Sequence, residues 1–304
     1  MSRWTASSLI LLLLTIVPGL AAPARAGDWD ALKARLAADG FASGEMDQIF
    51  DRPEVAFNPE PMARKMRALT EKRLNLAKPE PERQPEPEVH EFFLDWMHVA
   101  GAYGFLATHR GLLAEVRQRF GVPEYIMVSM FMVETGLGTN TGKRSALLTL
   151  ASMAAARPEA VRALLTDLPI PPEDEAWFAE RVRDKADWAY KELTALLREA
   201  HAVGLDPLYM GGSVFGAIGM CQFMPSNVEA YGADGDGDGL VNVYGMEDAL
   251  FSMASYLAGH GWREDMTPEQ QDGVIFTYNH AWIYVRTIRA LAERLRAVDE
   301  EYGL

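Results

Sequence analysis

The chain of 304 residues holds one cysteine, Cys221, so no internal disulfide can form and the fold must rest on a hydrophobic core. After the N-terminus no apolar run approaches the ~20 residues that cross a bilayer. No stretch sustains strand alternation, and no internal repeat is present. Basic residues are few: 29 Lys and Arg stand against 43 Asp and Glu, a formal net charge of −14. That balance argues against nucleic acid and anionic membrane surfaces as partners. None of the six histidines pairs with a Ser or Cys in a nucleophile motif, and no Walker lysine accompanies any glycine-rich stretch.

What is present begins with Arg3, an apolar run from Leu9 to Val17, and Ala24-Arg25-Ala26, a small-x-small cleavage pattern. Residues 1–26 are read as a secretory signal, the alternative being a membrane anchor; the run is short for that and is followed by Pro, Gly and charge. No cysteine near the cleavage point offers a lipid anchor. Loss of Arg3 and Arg25 leaves 27 basic against 43 acidic residues, net −16, on 278 residues. An extracytoplasmic enzyme or binding protein for a neutral or mixed-charge ligand is expected.

The patterning predicts a mainly α-helical fold. Short helices are expected at 29–36 and 62–76, within an N-terminal segment of 27–77. A Pro/Glu tract at 78–89 reads as an exposed linker or surface loop before a domain of 90–304. Residues 90–118 repeat apolar side chains at three- and four-residue spacing through Phe92, Trp96, Val99, Tyr103 and Leu106. Further helices are expected at 146–156, 158–165, 173–202, 225–231, 246–260, 268–278 and 281–298. Pro158, Pro225 and Pro268 suit the first turns they open.

Four blocks could carry chemistry. Between Pro123, suited to a first helical position, and Gly136 lies an apolar helix with Glu134 in its last turn. Lost hydration and the negative end of the helix dipole both favour the protonated carboxyl, as a general acid requires. A structural Glu paired to Arg or to backbone N–H groups is the alternative. The second block, Gly211 to Ser226, has four glycines in nine residues beside Ser213 and Gln222: a wall that a ligand can approach closely, or merely a turn before a helix. In the third, Asp234, Asp236 and Asp238 alternate with glycines ahead of Leu240, as in the front half of an EF-hand loop. Position twelve is Gly245, so Glu247 or Asp248 must complete the site if it is not simply an acidic turn. The fourth, Phe276 to Tyr284, sets Asn279 and Tyr284 among aromatics, as a sugar site or as core.

In this order, Val133-Glu134-Thr135 after Val122-Pro123, Gly216-Ala217-x-Gly219-x-x-Gln222-Phe223-Met224-Pro225-Ser226, the Asp/Gly loop and Tyr278-Asn279 resemble the B-type lytic murein transglycosylases, glycoside hydrolase family 103. The resemblance runs from about Phe92 to Leu295. It implies a lysozyme-like helical catalytic core with an EF-hand-like loop and flanking helices, and Glu134 as the single catalytic acid/base. Ser213, Gln222, Asn279 and Tyr284 become groove residues. A structural calcium ion is implied at Asp234, Asp236, Asp238, Asp248 and the Leu240 carbonyl, with no cofactor for the chemistry. A periplasmic monomer acting on peptidoglycan glycan strands is expected, cleaving without water to leave 1,6-anhydromuramyl ends. The competing readings are a hydrolytic muramidase on the same scaffold and a non-catalytic, calcium-dependent wall-binding protein. This chain departs from the family at Gly136-Leu137, where many relatives carry an aromatic, and at Gly245.

Overall fold

Seven consecutive residues, Ile126 to Met132, are buried, so α6 (Glu124–Thr135) is enclosed on every side. The computed structural model describes residues 29–76 and 88–303, and α6 is the axis of its helical architecture. Pro123 stands one residue outside α6, with extended backbone (φ −63°, ψ 144°), and its carbonyl accepts from the Ile126 and Met127 amides. Gly136, left-handed at φ 57°, ends the helix as expected. Packed around α6 are α4 (Trp96–Thr108), α5 (Arg110–Phe120), α11 (Met246–Gly259) and α13 (Trp282–Tyr302).

A second axis is α9 (Pro172–Val203), 32 residues long. Its C-terminal half shares the main core with α6, through Leu193, Leu196 and Leu197. Its N-terminal half builds a smaller core from Phe178 and Val182 with α8 (Pro158–Ala163) and with Met62 and Met66 of α3 (Glu60–Arg73). Helix α7 (Ala146–Ala154) lies along α9, α10 (Pro225–Tyr231) packs on α9 and α11, and α12 (Pro268–Tyr278) packs on α11 and α13. The N-terminal segment also joins the main core: α1 (Asp30–Ala38) and α2 (Ser43–Phe50) bury Leu36, Met46 and Phe50, and the Trp29 indole donates to the Val55 carbonyl at 2.9 Å.

The structure departs from the sequence reading in three places. The single helix expected over 90–118 is a 3₁₀ turn (Glu91–Leu94), then α4, then α5, interrupted at His109 (φ −109°, ψ 23°). Asp95 sets the start of α4 by accepting from the His98 amide at 2.9 Å, and Phe92 and Trp96, on the expected apolar stripe, are 65% and 78% exposed. Helix α2 was not anticipated, because eight residues with Gly and two acids give little periodicity. A two-residue antiparallel pair, β1 (Arg144–Ser145) with β2 (Gly211–Gly212), is too short to leave a pattern at all. The signal reading and nearly all of the Pro/Glu tract lie outside the described residues.

Candidate active site

Glu134 occupies the last turn of α6 with only part of its surface accessible. Burial pushes its carboxyl from 4.5 to about 7, and the neighbouring Tyr284 hydroxyl opposes that rise by hydrogen bonding to the charged form. No other charged group among the described residues takes part in the shift. Burial, with no counter-ion opposing it, therefore governs this acid. The Tyr284 hydroxyl, on the first turn of α13, is itself buried and forms no hydrogen bond of full geometry with any described protein atom. It neighbours Glu134 and has capacity for another partner.

The next residue explains why Glu134 meets the glycine wall. Thr135 Oγ1 donates to the Met220 carbonyl at 2.9 Å and accepts from the Gly138 amide at 3.0 Å. Residues 211–223 are thus tied to the end of α6. Gln222 adopts φ +50°, an uncommon conformation for a side-chain-bearing residue that is concentrated at functional sites. Its Nε2 donates to the carbonyls of Thr141 (3.2 Å) and Gly219 (3.0 Å), which leaves Oε1 as its free acceptor. Gly219, at φ +70°, could not carry a side chain: a Cβ there would stand 2.5 Å from the Val243 carbonyl oxygen. Ser213 Oγ accepts from the Ala217 amide at 3.0 Å and keeps its own hydrogen to donate. Asn279 caps the end of α12 and is exposed at the rim.

Of the groove residues read from sequence, Tyr284 stands directly at Glu134. Gln222 and Ser213 belong to the wall anchored beside it, and Asn279 reaches it through Tyr278. That tyrosine, absent from the sequence-derived site, donates from its hydroxyl to the Cys221 carbonyl and feels the Glu134 charge. Cys221 lies fully buried, its thiol pushed up to about 12 by burial and by the charges of Glu134 and Glu199. Two buried acids also went unnoticed, because both look like charges on a solvated helix. Glu192 of α9 accepts from the Ser226 amide (3.0 Å) and hydroxyl (2.9 Å), capping the first turn of α10. Glu199, pushed to about 7 by burial and then by the charges of Glu229 and Asp248, exerts no effect on Glu134.

The Asp/Gly loop lies against the same wall. Asp234, Asp236 and Asp248 bring carboxylate oxygens within 4.8 Å of one another. Asp248, on the first turn of α11, accepts from the Gly235 and Asn242 amides at 2.7 and 2.6 Å, so it closes the loop that Gly245 leaves open. Asp238 is not in that trio; it accepts from the Leu240 amide at 2.8 Å. Three converging carboxylates with further loop carbonyls to hand fit a hard, oxygen-seeking divalent cation. The loop exit is joined to the groove: the Met220 amide donates to the Val243 carbonyl at 2.8 Å, and the Tyr244 hydroxyl donates to the Gly211 carbonyl at 2.7 Å.

Comparison with known proteins agrees with this geometry. The transglycosylase SLT domain model matches residues 24–271. Membrane-bound lytic murein transglycosylase B of Escherichia coli is 33% identical over 165 residues, 54% of this chain but only 39% of that protein. Among solved structures, the Escherichia coli lytic transglycosylase Slt35 in complex with calcium superposes with a TM-score of 0.67 at 19% identity, covering 90% of this chain and 93% of that one. SltB3 of Pseudomonas aeruginosa, in complex with NAG-anhNAM-pentapeptide, gives 0.67 at 20% identity, covering 88% and 78%. At such identities the structural likeness establishes the lysozyme-like helical fold alone.

Proposed function

Because this chain belongs to the transglycosylase SLT domain family, we propose that it is a lytic transglycosylase cleaving the β-1,4 bond between N-acetylmuramic acid and N-acetylglucosamine. The observation that carries this reading is a single acid, Glu134, held near 7 by burial, with an unsatisfied Tyr284 hydroxyl beside it and no second carboxylate acting on it. Ordinary glycosidases need two carboxyl groups, one for the leaving oxygen and one as nucleophile or base for water. Here one group serves twice. Protonated Glu134 gives its proton to the glycosidic oxygen as the C1–O bond breaks; the carboxylate then takes the proton of the muramic C6 hydroxyl as that oxygen bonds to C1. The product is a 1,6-anhydromuramyl end, and Glu134 is left protonated for the next cycle.

Ser213, Gln222 and Asn279 offer a donor, an acceptor and an amide to the sugars, fixing the ring for attack. The relative solved with NAG-anhNAM-pentapeptide supports an anhydro product and a peptide-bearing strand as substrate. A structural calcium ion at Asp234, Asp236 and Asp248 is supported by their convergence and by the calcium complex of a relative. We read Asp238 and the Leu240 carbonyl as completing its shell. The protein would act as a periplasmic monomer, residues 90–304 forming the catalytic unit and 27–77 an N-terminal helical segment whose helices α1 and α2 share the main core. No helix among the described residues is long and apolar enough to cross a membrane.

Mass spectrometry of digested peptidoglycan tests the reaction, since anhydro ends weigh one water less than reducing ends. Anhydromuropeptides are expected. Reducing ends would select the hydrolytic muramidase instead. Retention on sacculi with no soluble product would select a calcium-dependent wall binder.

A further inference from the structure

From a cavity of about 590 Å³ between the 51–61 loop and the β1–α7 corner, we infer a subsite for the peptide that hangs from a muramyl residue, with Arg144 binding a peptide carboxylate. This deepens the transglycosylase reading and rests on it.

Arg144 lines the cavity, is exposed, and forms no ion pair among the described residues, although the chain as a whole carries a net charge of −14. An unpaired guanidinium in so acidic a protein is well suited to capture carboxylate, which it can grip with two parallel N–H bonds. Glu54 lines the same cavity, and Phe57 and Leu148 give it an apolar floor. One positive and one negative wall around apolar surface suit a short peptide that carries both carboxylate and ammonium, rather than a plain sugar.

The cavity lies close to the glycine wall along the chain and across the β1–β2 pair. Arg144 belongs to β1, which pairs with β2 at the start of the glycine wall. Three residues before it, the Thr141 carbonyl accepts from Gln222. Three residues span at most ~10 Å, and a peptide of four or five residues reaches ~15 Å. A peptide rooted on a sugar at Gln222 therefore covers the distance to Arg144. The same end of the wall holds another cation, the Lys65 ammonium, 4.7 Å from the ring centre of Phe215. Glycan recognition by Ser213, Gln222 and Tyr284 leaves this corner unused.

The test compares wild type, Arg144→Ala, Arg144→Lys and Glu54→Gln on sacculi and on the same glycan stripped of peptide by an amidase. Arg144→Ala should raise KM about tenfold on peptide-bearing strands, the loss expected for one charge-assisted hydrogen bond, with kcat unchanged. On stripped glycan it should stay within twofold of wild type. Arg144→Lys should recover part of the loss, and Glu54→Gln should weaken peptide-bearing strands alone. Equal effects on both substrates, or none on either, would overturn the subsite. Calorimetric binding of peptide-bearing and stripped fragments to the Glu134→Gln protein separates this outcome from failure of the enzymatic reading, since it needs no turnover. Loss of the peptide preference in Arg144→Ala there is expected; an unchanged preference rejects the proposal.

Discussion

Two groups of carboxylates are treated in opposite ways by this fold. Glu134 stands alone at the end of an apolar helix, and lost hydration favours its proton. Asp234, Asp236 and Asp248 crowd their oxygens within 4.8 Å of each other, and backbone amides engage them. Like charges so close repel unless a cation joins them. The side chains are chemically near-identical. A solitary carboxyl in a dry setting is placed to give up a proton, whereas three that converge, two on a glycine loop and Asp248 buried on α11, are placed to share a cation, so surroundings rather than residue type assign the role.

The largest expected effect removes the dry acid: Glu134→Gln should lower anhydromuropeptide release by a factor on the order of 10³ or more while circular dichroism stays unchanged. Near-normal turnover would end the contrast between the two groups. The same variant should also be more stable at high pH. Glu134 holds its proton more tightly folded than unfolded, so its contribution is fullest at low pH and is lost as pH rises from 4.5 to about 7. Denaturant melts should therefore favour Glu134→Gln by up to about 3 kcal/mol at pH 8 and by nothing at pH 4.

For the clustered group, calcium at a hundredfold excess over its Kd should stabilise the protein by about 3 kcal/mol, and chelation should reverse this. Asp248→Asn should abolish the sensitivity to chelator. Because Val243 and Tyr244 hold the wall at Met220 and Gly211, chelation should depress kcat as well as the melting temperature. A chelated enzyme with full activity would mean that the two regions are independent. The smallest effect is expected from Tyr284→Phe, about tenfold in rate, with the alkaline limb of the pH profile moved upward because the hydroxyl that lowers the Glu134 pKa is gone.

Most of the long helices were legible because apolar spacing agrees with local stop and start signals, as in α12, which Pro268 opens and whose observed span of Pro268–Tyr278 is the expected one. The break at His109 was not, since apolar spacing continues on both sides of it and only local dihedrals mark it. In the site, Glu134 was legible because a charge on an apolar stretch is conspicuous. Thr135, Thr141 and Tyr278 were not: Thr135 and Tyr278 donate to carbonyls 85 and 57 positions away, the Thr141 carbonyl accepts from a side chain 81 positions away, and such contacts leave no trace in local spacing. Glu192 and Glu199 were hidden by the heavily charged composition of α9.

The enclosed thiol has a practical consequence. Cys221 has no exposed surface, its carbonyl is clasped by Tyr278, and its pKa near 12 leaves almost no thiolate to react at neutral pH. Alkylating reagents can then reach it only when the strip of backbone over it lifts. The lone sulfur is a native probe, and its modification rate, followed with and without glycan fragments, times the breathing of the cleft without any introduced label.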